Sequence, residues 1–222
     1  QGNVFRACRF DRHISAVQEV LDYFSYFLIT MKCIIEHLEP KLYEWCLIEY
    51  EHISRIVGKG DLIFTNIKNK RDENKLKKFG TVYDKKFSEM DFEKICILSQ
   101  YTEKTLTTND KNKFEYFVFG GILGDKPAKK RTNILINSFK KQKINFEERN
   151  LGNRQMPTDA AVYAAKKVLD GATLNELKFI DEIEIEINEN ESIILPFRFV
   201  VDDDKLIINE RLVEHLRKRK GF

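Results

Sequence analysis

The run Phe114-Glu115-Tyr116-Phe117-Val118-Phe119 constrains this chain more than any other segment, because it ends directly in Gly120-Gly121. Aromatic and β-branched residues at this density favour a strand, and the glycines free the backbone just beyond it. A strand that stops at a glycine loop is the unit from which parallel sheets build ligand sites at their carboxyl edge. A similar arrangement returns at Ile144–Arg149, where Asn150-Leu151-Gly152 follows and Pro157-Thr158-Asp159 opens a helix.

Further strands are expected at Lys32–Leu38, Leu62–Ile67 and Glu93–Leu98. Leu42, Trp45, Cys46, Ile53, Ile56 and Val57 fall at helical spacing, so Leu42–Val57 reads as a helix that Gly58 ends. Thr132–Phe139 and Thr158–Asp170 are the next helices, with Thr158 as the cap of the second and Gly171 after it. Asn69–Phe79 is a charged helix or loop. Strands alternating with helices define an α/β fold with a mostly parallel sheet. Toward the carboxyl end, Ile183, Ile185 and Ile187 alternate with Glu182, Glu184 and Glu186, a strand with one apolar and one acidic face. Asp202-Asp203-Asp204 reads as a turn between the runs Leu195–Val201 and Leu206–Ile208, and Asn209 begins a terminal helix. These additions are expected at the edge of the main sheet.

Composition excludes several classes. Lys+Arg 38 against Asp+Glu 35 give a net charge of +3, which argues against a simple polyanion binder. Val20–Ile29 is too short for a membrane span and carries Asp22, and no small-residue cleavage site follows it. Cys8, Cys33, Cys46 and Cys96 form no CxxC, and the 4 histidines are scattered. A metal site is therefore not expected, and buried, reduced cysteines fit a cytoplasmic protein. Residues 1–30 show no clear periodicity until about Ala16, and the first methionine is Met31. They are expected to be an extension outside the fold, or translated upstream sequence with Met31 as the native start.

Two segments invite chemistry. Phe119-Gly120-Gly121-Ile122-Leu123-Gly124-Asp125 lacks the GxGxxG dinucleotide spacing and any Gly-Lys-Ser/Thr. It is either a backbone-lined small-molecule loop or an ordinary turn. Leu151–Asp159 offers helix N-terminal amides and a first-turn carboxylate, which make either a polar pocket or a simple cap. Glu49 is a third oddity, a charge on the apolar stripe between Trp45 and Ile53. A place on the rim of that stripe is the ordinary alternative.

The two loops together resemble SPOUT-family methyltransferases. The residues that carry the resemblance are Phe114–Asp125, Pro127, Arg131-Thr132, Leu151-Gly152, Gln155-Met156 and Thr158-Asp159. Met31–Glu39, Glu44-Trp45, Leu47–Tyr50, Lys178–Asp181 and Pro196–Phe199 are similar to the branch that methylates an arginine of a small-subunit ribosomal protein. The resemblance implies a carboxyl-terminal trefoil knot, a topology that chain-connection rules disfavour. It also implies S-adenosylmethionine as cofactor. The implied contacts are Leu98; Phe119, Gly120, Gly121, Ile122, Leu123, Gly124 and Asp125; and Leu151, Gly152, Gln155, Met156, Thr158 and Asp159. After Ile95–Leu98 relatives often continue with Asp-Pro, whereas this chain has Ser99-Gln100. The implied division is an extension over 1–30, a knotted methyltransferase domain over 31–181, and strands and a helix over 182–222 packed on it.

An arginine nucleophile sets a further requirement, because guanidinium is protonated and its lone pair is delocalised. A carboxylate must orient it and accept a proton. Glu36, Glu49 and Asp125 are the catalytic candidates, and Glu39 and Asp159 are the other carboxylates within the same segments. Trp45 is expected in the core. Lys126–Arg131 would suit phosphates, whereas the acidic strand over 182–191 and Asp202–Asp204 would repel RNA and attract a basic ribosomal protein. Both are otherwise ordinary solvated faces. Three readings follow: an arginine N-methyltransferase acting on a ribosomal protein, an RNA methyltransferase of the same fold, or a non-catalytic cofactor- or ribosome-binding module. Most superfamily members are dimers; the additions after Asp181 are expected to cover that interface and leave a monomer.

Overall fold

The computed structural model describes residues 31–121 and 132–218. Six strands form a wholly parallel sheet: β1 (Lys32–His37), β2 (Leu62–Thr65), β3 (Thr81–Val82), β4 (Ile95–Leu98), β5 (Tyr116–Gly121) and β6 (Phe146–Arg149). Their order across the sheet is β3-β2-β1-β5-β4-β6. In β1 every residue from Cys33 to His37 is buried, and in β5 Phe117, Val118 and Phe119 are. Burial without alternation is the mark of strands covered on both faces.

The covering follows from which side chains alternate. Cys33, Ile35, Cys96, Phe117 and Phe119 share one cluster with α1 (Glu44–Val57) and α5 (Thr158–Leu169). Ile34, Ile95, Ile97 and Val118 share another with Phe87 and with Leu135, Ile136 and Phe139 of α4 (Thr132–Gln142). Two short helices, α2 (Lys70–Leu76) and α3 (Asp110–Lys113), complete this part. The strands and helices expected in this part are present; β3 and α3 are too short to show a period in the sequence, and the expected run Leu195–Val201 is broken at 196–198. Gly58 ends α1 at φ 87°, and its amide donates to the Ser54 carbonyl at 3.0 Å. Pro157, not Thr158, occupies the cap position of α5, with no side-chain capping hydrogen bond; Thr158 is the first helical residue. Its hydroxyl is turned to the Gly120 carbonyl at 3.4 Å.

The carboxyl-terminal strands do not join the edge of the main sheet. β8 (Ile183–Asn188) and β9 (Glu191–Leu195) form their own hairpin, and β7 (Lys178–Ile180), β10 (Phe199–Asp202) and β11 (Lys205–Leu206) form a separate three-stranded sheet. The reason is the apolar face of the hairpin. Ile183, Ile185, Ile193 and Leu195 pack with Leu212 and Leu216 of α6 (Glu210–Lys218) and with Ile48 of α1. Asn209 ties this layer down by donating to the Ile48 carbonyl at 3.0 Å and accepting from the Arg211 amide at 3.0 Å. Asp203 and Asp204, at φ 48° and 56°, make the two-residue turn between β10 and β11. Residues from Met31 onward form one compact unit.

One glycine is dictated by α1. A Cβ on Gly121 would lie 2.3 Å from the Tyr50 hydroxyl, 2.9 Å from Ile35 Cγ2 and 3.2 Å from the Glu36 carbonyl. Gly121→Ala should destabilise the protein by about 1–3 kcal/mol through overpacking. Urea denaturation checks this, and adding Tyr50→Phe should recover part of the loss because the nearest clashing atom is gone.

Candidate active site

β1 and β5 lie side by side with Glu36 opposite Gly120 and His37 opposite Gly121. Successive strand residues point to opposite faces, so Glu36 and His37 enter different environments. Glu36 turns to the α4 side, where its Oε2 accepts from the Thr65 hydroxyl at 2.6 Å and from the Phe87 amide at 2.8 Å. Burial raises its pKa, and those two donors oppose the rise. A carboxylate so placed joins the ends of β1 and β2 to the Phe87 turn.

His37 turns to the α1 side, where its Nδ1 lies 2.8 Å from the Tyr50 hydroxyl. Burial lowers the His37 pKa, partly opposed by the Lys41 main chain, and raises that of Tyr50 well above the ordinary phenol range. The preceding residue on α1 is Glu49, which is 2% exposed. Its Oε2 has no hydrogen-bond partner. Burial first, and then the charges of Asp159 and Glu39, push the Glu49 pKa well above the ordinary carboxylate range. Asp159, in the first turn of α5, is held from both sides: Oδ1 accepts from the Ala160 amide at 2.8 Å and Oδ2 lies 2.7 Å from His52 Nδ1. Glu49 and His52 are three apart on α1 and so share a face. The geometry thus brings Glu49 and Asp159 together and separates Glu36 from them.

The loops at the carboxyl ends of β4 and β6 lie beside this cluster. Leu98 ends β4 half-buried, and the Ser99 amide donates to the Arg149 carbonyl at 2.9 Å. Asn150 fastens the β4 loop to the β6 loop: its amide donates to Lys104 at 2.8 Å, its side chain donates to Thr102 at 2.9 Å, and its carbonyl accepts from Leu106 at 2.9 Å. Gly152 turns at φ 94°, and its amide donates to Asn150 Oδ1 at 2.9 Å. Arg198 closes the outside of this loop. Its amide donates to the Gln155 carbonyl at 2.8 Å, its guanidinium pairs with Asp181 at 2.5 and 3.1 Å, and the same group packs over Phe179. Leu151 is buried and Met156 half-buried against the core, which gives the loop apolar walls. Phe119 is in the core below, and Gly121 is packed against Tyr50 rather than open to a ligand. Ile122, Leu123, Gly124 and Asp125 lie outside the described residues, as do Lys126–Arg131. The Gly152 turn, the apolar walls and the fixed backbone at the ends of β4 and β6 fit an adenosyl group.

His52 had no place in the sequence-based expectations, and His37 and Arg198 entered only as members of segments that carry the resemblance, without a role. The spacing of Glu49 and His52 on one helix face could have revealed the first. Nothing local announces Arg198, which reaches the loop from a separate sheet. Cys33, Cys46 and Cys96 are buried; loss of hydration raises all three thiols, Cys46 to about 12.

A parallel sheet with its loops and buried carboxylates gathered at one edge is an α/β scaffold with a ligand site at the carboxyl ends of its strands. The chain belongs to the SFM1-like protein arginine N-methyltransferase family, whose profile matches residues 32–221. It is 36% identical over 205 residues to protein arginine N-methyltransferase SFM1 of Saccharomyces cerevisiae, covering 85% of this chain and 95% of that protein. The crystal structure of yeast SFM1 complexed with SAM is similar at a TM-score of 0.77 and 33% identity, over 85% of this chain and 91% of that one. The SAH complex gives 0.76 and 33%, over 84% and 94%. A Trm10 from Thermococcus kodakaraensis shares the fold at a TM-score of 0.53 and 17% identity, over 65% and 95%.

Glu36 supplies a test of its assigned environment. An acid whose folded pKa is raised contributes a cost that appears as pH climbs through the unfolded value of 4.5 toward the folded one. Glu36→Gln keeps an acceptor for Thr65 and Phe87, so its stability relative to wild type should grow as pH rises above 4.5. Glu36→Ala should instead cost about 1–3 kcal/mol by stranding two buried donors. Thermal melts from pH 4 to 8 separate the two.

Proposed function

We propose that this protein transfers a methyl group from S-adenosylmethionine to an arginine side chain of a basic small-subunit ribosomal protein. The observation that carries the reading is the buried, unpartnered Oε2 of Glu49 beside Asp159 at the head of the strand-end loops. A buried acceptor without a donor is costly unless a ligand completes it. A guanidinium has the donor that Glu49 Oε2 lacks, and in bidentate form it matches a carboxylate.

The cofactor's sulfonium supplies an activated methyl group, so the protein need not generate an electrophile. Its residues do the rest. Leu98, Phe119, Gly120, Gly121, Leu151, Gly152, Gln155, Met156 and Thr158 belong to the segments that would hold the cofactor, while Glu49 aligns the guanidinium with the methyl group by proximity. The attacking nitrogen must lose a proton as its bond to carbon forms, and the raised affinity of Glu49 for a proton suits it as acceptor. Asp159 then acts on the substrate side more than as a cofactor contact.

The acidic hairpin supports a basic protein over RNA. Glu184, Glu186, Glu189 and Glu191 are all exposed. Such a face attracts Lys/Arg-rich partners and repels phosphates. The same reading keeps the remaining expectations: a carboxyl-terminal trefoil knot, residues 1–30 outside the catalytic fold, a cytoplasmic protein and a monomer. Support for the monomer comes from α6 and the hairpin, which cover α1 within the chain. No helix of the described residues is long and apolar enough to cross a membrane.

Methyl-labelled cofactor incubated with small-subunit ribosomal proteins or with deproteinised rRNA tests the reading. Label on arginine of a protein is expected; label only in RNA would replace the protein substrate with RNA, and label in neither would leave a binding module. Glu49→Gln should lower kcat by about 10²–10⁴-fold with cofactor affinity unchanged. Steady-state kinetics with calorimetry checks both. Glu184→Lys with Glu186→Lys should raise KM for the protein substrate several-fold, more at low than at high salt.

A further inference from the structure

We propose that His52 is the positioning residue of the methyl-transfer site, holding Asp159 so that its charge stays fixed beside Glu49. The inference rests on the reading of Glu49 as the residue that meets the substrate guanidinium.

The geometry carries it. Asp159 is almost completely enclosed, its side chain being 3% exposed, and His52 is 16% exposed at the solvent side of the pair. The Ala160 amide fixes Oδ1 and His52 Nδ1 fixes Oδ2, so the carboxylate cannot rotate without losing a donor. Without His52, one oxygen in a nearly dry space would lack a partner, and the side chain would turn. That turn weakens the negative field at Glu49. That field matters because Asp159 is the largest charge acting on Glu49. The groups that face Glu49 are Asp159 from α5, Glu39 from the segment after β1, and Cys46 and Tyr50 from its own helix. Arg211 of α6, which reaches α1, is paired with Glu51. His52 therefore acts through Asp159 on the proton affinity of Glu49 and needs no contact with substrate.

His52→Ala and His52→Asn test this in the full chain, with labelled S-adenosylmethionine and an acid extract of small-subunit ribosomal proteins. The amide nitrogen of Asn can replace Nδ1 as donor to Asp159. His52→Ala should lower kcat at least tenfold, leave cofactor affinity by calorimetry within twofold, and move the acid limb of the kcat profile to lower pH. His52→Asn should restore most of kcat and return the limb toward its wild-type position. A His52→Ala enzyme with wild-type kcat and pH profile overturns the inference. So does an acid limb that stays in place or moves up, or a folded His52→Asn enzyme no better than His52→Ala. Urea denaturation of both variants separates misfolding from loss of positioning. Absence of arginine methylation by the wild-type protein would strike the proposed function itself, before either variant is compared.

Discussion

The close approach of Gly121 to the Tyr50 hydroxyl fixes where α1 lies on the sheet, and the rest of the site depends on it. A side chain on Gly121 would occupy the hydroxyl's position. Because the helix is seated there, Tyr50 meets His37 at the end of β1. Glu49, one residue earlier, is carried into the interior, and His52, two residues later, reaches the start of α5. One backbone contact thus sets the register between a helix and a sheet edge, and that register decides which polar groups face each other.

The two buried glutamates show how environment separates roles for one residue type. Glu36 and Glu49 are both nearly inaccessible, and burial raises the proton affinity of both. Glu36 is satisfied by a hydroxyl and an amide on the α4 face, which suits a structural junction. Glu49 keeps an oxygen without a donor and stands beside another carboxylate, an arrangement that gains only when a cation enters. Glu36 stood out as the end of the first strand and Glu49 as a charge on an apolar stripe; the alternation of the strand turns Glu36 to the α4 face.

Much of the scaffold was legible because its signals are local. The Phe114–Phe119 run, the apolar spacing of Leu42–Val57 and the punctuation by Gly58 and Gly171 each placed an element within a few residues. The errors came where a local signal was met by a tertiary contact. Thr158 looks like a cap, but its hydroxyl faces the Gly120 carbonyl and Pro157 takes the cap position. The isoleucine face of β8 suggested a sheet edge, but α1 and α6 offered it a better apolar partner.

By itself the sequence determined the α/β class, the strand-then-glycine loops and the family resemblance, because periodicity and short motifs record backbone preferences and close approaches. It also marked Glu49 as a charge out of place. Only the tertiary structure decided what that charge faces. His52 and Asp159 are 107 residues apart in the chain, and Arg198 reaches the Gly152 loop from a separate sheet. Pairings of that kind arise from how helices seat on a sheet, and no spacing along the chain encodes them.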